Sequence, residues 1–95
     1  MLKAYRFYFS FDQKGIFGEQ KLKLTGISNK FFNSFTFFDS YGMWEGKINK
    51  GGMIETISQD IKESDIQAYC SEIKEALRQD IILVTSTELK SINLY

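Results

Sequence analysis

The chain contains no histidine among its 95 residues. That removes the commonest general base, the commonest metal ligand and every Ser-His or Cys-His nucleophile pair. It excludes the two-histidine phosphoesterases as well. There is a single cysteine, too few for an internal disulfide and, with no histidine beside it, for a zinc site. Cys70 falls on the apolar stripe of a predicted helix, which points to a buried structural thiol rather than a reactive one. Net charge is absent too, with twelve cationic side chains balancing twelve anionic ones. A general nucleic-acid binder held by phosphate neutralisation is therefore disfavoured. No apolar run approaches the roughly 20 residues of a membrane helix, and the N-terminus shows no basic region, apolar core and cleavage site in series. A soluble protein in a reducing, cytoplasmic setting is the expectation. The seven glycines follow neither GxGxxG nor GxxxxGK[ST] spacing. The chain is expected to be a non-enzyme with no cofactor and no metal.

Aromatic residues, by contrast, are plentiful at 16%. Seven of the fifteen (Phe31, Phe32, Phe35, Phe37, Phe38, Tyr41 and Trp44) lie within residues 34–57 or just before them, so the core must include that segment. It is expected to form two strands joined by a turn. Charge is unevenly spread: residues 1–50 carry eight Lys/Arg against four Asp/Glu, and residues 51–95 the reverse. That allows either a locally positive surface built by the first half or simply an acidic helix in the second.

In chain order, residues 2–11 alternate, with Tyr5, Phe7, Phe9 and Phe11 on one face and Ala4, Arg6, Tyr8 and Ser10 on the other, as in a strand. Residues 12–18 form a loop, and residues 19–24 are either a short strand or the approach to a helix. Ser28 is a candidate N-cap for a short helix over residues 28–34. The next strand spans residues 35–47, its Phe37-Phe38 pair implying cover on both faces or a bulge near Gly42, and in either case a central position. KINKGG at residues 47–52 supplies the turn and residues 53–58 the returning strand. Residues 64–79 form the clearest helix, with Ile66, Cys70, Ile73 and Leu77 on one stripe and Ser64 and Gln67 as a capping box. IILVT at residues 81–85 has the pattern of a strand buried on both faces, and residues 86–95 form a C-terminal extension that either continues this strand or pairs elsewhere. The order is that of a ferredoxin-like βαββαβ sandwich, one domain over residues 1–95, with a four-stranded antiparallel sheet and both helices on one face. The other face presents Arg6, Tyr8 and aromatics of the second strand, more apolar area than a monomer normally leaves wet. A homodimer or larger assembly is expected.

Two resemblances add to this. YGMW, followed by a turn, a strand, a long helix and RQDIILVT, resembles a group of small uncharacterised phage and bacterial proteins over residues 35–85, with a fainter echo at YFSFDQK. The resemblance implies a ferredoxin-like fold and a phage origin, and it carries no assigned activity. Small phage proteins of this kind include inhibitors of bacterial immunity, some of which sequester nucleotide signals. Separately, Asp12 at the end of the first strand resembles the metal-binding carboxylate of the CRISPR-associated Cas2-type and VapD-type nucleases, although Asp-Gln-Lys-Gly is also an ordinary turn opening.

The leading expectation is a homo-oligomeric anti-defence protein that binds a small anionic ligand such as a nucleotide in an inter-subunit pocket, in the host cytoplasm if phage-encoded. Tyr8, Tyr41 and Trp44 would stack on a base, and Arg6, Lys14 and Lys47 would meet phosphate. The alternative is a protein-interaction module that inhibits a host enzyme. A third is an Mg²⁺-dependent nuclease acting through Asp12.

Overall fold

The alternation of the N-terminal segment produces the central strand of the molecule. In the computed structural model, which describes residues 1–10 and 18–95, the elements run β1 (Lys3–Ser10), α1 (Gly18–Phe31), β2 (Thr36–Trp44), β3 (Lys47–Ser58), α2 (Glu63–Leu77) and β4 (Leu83–Glu88). They form a sheet of order β2-β3-β1-β4 whose neighbouring strands are all antiparallel. This is the ferredoxin-like α+β arrangement. Tyr5, Phe7 and Phe9 of β1 and Ile54 of β3 point to one side, where they meet Leu24 and Phe32 from the α1 segment and Tyr69 and Ile73 from α2. Both helices therefore sit on that side, and each fully buried Phe, Leu or Ile contributes about 1.5–3 kcal/mol.

Tyr69 is the hub of this core. Its ring lies edge-on to Phe7 at 4.8 Å, Phe32 at 4.6 Å and Phe31 at 5.3 Å between centroids. Its hydroxyl is 2.7 Å from the hydroxyl of Ser28, and both groups are buried. Burial pushes the Tyr69 phenol up from its ordinary value, and the hydrogen bond to Ser28 only partly opposes that. Ser28 is therefore not an N-cap. It lies inside α1, on a stripe with Leu24 and Phe31, and its hydroxyl serves a partner on the other helix rather than the start of its own.

Four further expectations are corrected. The β2–β3 turn is Glu45-Gly46, not KINKGG: both residues have positive φ, 48° and 75°, as a two-residue type I′ hairpin requires. Residues 47–52 instead open β3, and Trp44 pairs with Lys47. Pairing runs unbroken through Gly42 opposite Asn49, so β2 carries no bulge, and it is an edge strand rather than a central one. Its two phenylalanines divide between faces, Phe37 packing against Phe9 at 6.0 Å while Phe38 stays 42% exposed on the other side. β4 is also an edge strand, with Leu83 59% exposed; the apolar run was a sign of β-propensity, not of cover on both faces. It continues into the segment expected as an extension, through Glu88. Finally, α2 starts one residue earlier than its supposed Ser64 cap. Its N-cap is Lys62, extended at φ −62° and ψ 140°, with no side-chain capping bond.

The far end of α2 closes on Arg78 in the left-handed region, φ 55°, with the Gln79 N–H donating to the Lys74 carbonyl at 2.9 Å. Glycine takes this position without the steric cost a β-carbon incurs. Arg78→Gly should therefore stabilise the protein by up to about 1 kcal/mol, seen as a higher midpoint in urea with unchanged slope.

Candidate functional site

The face of the sheet away from the helices is built by ladder register. Phe38, Met53, Tyr8 and Leu83 fall on one row across all the strands, and Thr36, Glu55, Arg6 and Thr85 on the next. On the other side of the Tyr8 row, Ser40, Gly51 and Ser10 are aligned across β2, β3 and β1. Because Gly51 and Gly42 carry no side chains there, the surface sinks into a hollow of about 290 Å³ bordered by Tyr8, Ser10, Ser40, Lys50 and Leu83. The chain approaches so closely at Gly51 that a Cβ would fall 2.5 Å from the Phe9 carbonyl oxygen. The Ser10 N–H donates to the Gln79 side-chain oxygen at 3.2 Å, which ties this end of β1 to the segment after α2.

An aromatic wall, two hydroxyls and bare backbone suit a flat ring with polar edges. Beside them, the Arg6 Nε donates to a Glu55 carboxylate oxygen at 2.7 Å. Its guanidinium is held above its ordinary value by that hydrogen bond first and by Tyr8 second. An incoming anion would compete with Glu55 for Arg6, and that competition sets what the side chain contributes.

The sequence-predicted residues are spread more widely than one wall. Arg6 and Tyr8 lie together on this face. Tyr41, opposite Lys50 and 73% exposed, is on the other face of β2 with Met43 and Ile48, all three exposed. Lys47 is exposed beside the turn, four rungs and roughly 13 Å from the Ser40–Gly51 rung. The backbone of Trp44 pairs with Lys47; its side chain, and all of Asp12 and Lys14, lie outside the described residues. Cys70 is half-buried in α2, and burial raises its thiol above the usual range. Among the described residues no cluster of acids and cysteine is arranged to hold a metal ion, and no helix is long and apolar enough to cross a membrane. Sequence reasoning missed Ser10, Ser40, Lys50 and Gly51. Counting back from a turn at Glu45-Gly46 would have placed Ser40 opposite Gly51; counting from KINKGG hid it.

No family model and no curated protein matches the chain. Solved structures do match its fold. CutA1 from Oryza sativa is 19% identical with a TM-score of 0.58, over 97% of this chain and 83% of that one. A phage SAM lyase in complex with S-methyl-5'-thioadenosine is 14% identical with a TM-score of 0.63, over 92% and 81%. A DUF3240 family protein from Shewanella baltica OS155 is 6% identical with a TM-score of 0.62, over 98% and 96%. At these identities the likeness defines a class of fold, an antiparallel sheet with two helices as in CutA1, found in phage and bacterial proteins among others.

Gly51→Ala should cost about 1–3 kcal/mol through the forced separation of β3 from β1. Hydrogen exchange should show the loss first in the Phe9–Gly52 and Ser10–Gly51 rungs, with the helices protected until global unfolding.

Proposed function

We propose that this protein is a non-enzymatic, homo-oligomeric binding protein that takes a small anionic ligand of nucleotide type between its subunits. The observation that carries the reading is the hollow beside Tyr8. Its volume of about 290 Å³ is at the small end of ligand pockets, which run from about 300 to 1,000 Å³. It has room for a ring but not for a whole nucleotide, so the rest of the ligand needs a second wall. The ring stacks on Tyr8 over Gly51, with Ser10 and Ser40 at its polar edge. Tyr41 of the protruding hairpin of another copy closes over it, and Arg6 and Lys14 meet the phosphate. In support, a phage SAM lyase of similar fold was solved in complex with S-methyl-5'-thioadenosine, a nucleoside derivative with a flat purine ring. Carried by a phage, such a protein withdraws a nucleotide immune signal from its host.

A second reading, a module that inhibits a host protein by strand addition, is favoured by β2 and β4, each of which has one partner strand among the described residues. It predicts a stable complex with a protein and no response to nucleotides.

Thermal-shift and calorimetric titration against linear and cyclic nucleotides separate the two. A ligand confined to the folded state stabilises it by about 2.7 kcal/mol at a hundred times its Kd. Tyr8→Ala should abolish that shift while the unliganded protein still melts cooperatively. No shift with any nucleotide at millimolar concentration sinks the ligand reading.

A further inference from the structure

On the helix side, away from the hollow, a groove of about 480 Å³ runs between α2 and β4. Its helix wall is a single stripe, Glu63, Gln67, Cys70 and Lys74, and its floor includes Tyr5, Ile66 and Val84. The stripe spans twelve residues, about 16 Å of helix from first to last, which is the reach of about five residues of extended chain. β4 forms the opposite wall. Among the described residues it is paired only with β1, so its outer backbone N–H and C=O groups are free to add a strand.

The chain carries a segment that fits this groove. After Glu88 the Leu89 N–H donates to the Leu2 carbonyl at 3.0 Å, which prolongs the β1–β4 ladder and directs the tail onward, away from its own groove. Residues 90–95 are all exposed, with Leu94 94% and Ile92 46% exposed. In extended chain Lys90, Ile92 and Leu94 share one face. Since β3 and β4 both run antiparallel to β1, the crossover helix α2 runs opposite to β4, and Glu63 lies near the end of β4 while Lys74 lies near its start. A tail laid antiparallel to β4 then puts Lys90 at Glu63 and runs Ile92 and Leu94 along the floor. The parallel orientation would set Lys90 against Lys74, so charge selects the antiparallel one, which is also the stronger pairing.

We propose that residues 90–95 of one copy add as an antiparallel strand to β4 of another, beneath α2, so that copies of the chain associate by exchanging tails. The inference takes from the proposed function only that copies associate.

Sedimentation velocity on the full chain over a concentration series tests it. The protein should self-associate, and Glu63→Lys and Lys90→Glu should each weaken association about fivefold, as loss of an exposed ion pair does; the two together should restore it. Leu94→Cys, oxidised with copper phenanthroline, should give a disulfide to the partner's Cys70. A monomer at every concentration overturns this inference and the oligomeric part of the proposed function together. Self-association indifferent to both charge reversals, or a disulfide formed within one chain, overturns this inference alone, and the nucleotide titrations then decide the other separately.

Discussion

The contact on which the rest of the structure depends is the buried meeting of Tyr69 with Phe7, Phe31 and Phe32. Edge-to-face rings at 4.6–5.3 Å join β1, the end of α1 and the middle of α2 in one cluster. The Tyr69 hydroxyl, which would be costly to bury alone, is satisfied by Ser28. Both helices are thus fixed to one face of the sheet through the ring and the hydroxyl of Tyr69. The other face is left to whatever the protein meets, and the hollow at Gly51 and the row through Tyr8 follow from that division.

The functional geometry has the same origin. A core this small cannot cover four strands on two sides, and the Glu45-Gly46 turn carries β2 and β3 beyond the end of β1. Among the described residues, the rungs from Tyr41–Lys50 to Trp44–Lys47 lie past the last rung that β1 shares with β3, Ser10–Gly51. Tyr41, Met43 and Ile48 are exposed there, with no helix above them among the described residues. The side chains of Tyr41, Met43 and Ile48 and the Tyr8 hollow are on different faces of the sheet.

Local pattern was legible wherever one side chain's neighbours in sequence are also its neighbours in space. The period-two alternation of residues 2–11 identified the inward face of β1, and the stripe of Ile66, Cys70, Ile73 and Leu77 identified α2. The errors arose where two local signals competed. KINKGG has the composition of a turn, yet its Gly51 serves a close backbone approach of β3 to β1, while the less conspicuous Glu-Gly pair adopts the positive φ angles. Ser28 has the chemistry of a cap, yet its partner is forty-one residues away.

By itself the sequence determined which elements form, their order and the inward face of the central strand, because these follow from periodicities that the chain carries locally. The absence of histidine likewise bounded the chemistry, since composition alone decides which side chains can take part. Only the tertiary structure decided that β2 and β4 are edges, that Tyr8 and Tyr41 lie on opposite faces, and that Ser40, Gly51 and Ser10 converge. The reason is the same for each. Strand neighbours and faces are set by register, and register is fixed by the one turn and by the long-range packing around Tyr69, neither of which is written in any single stretch of residues.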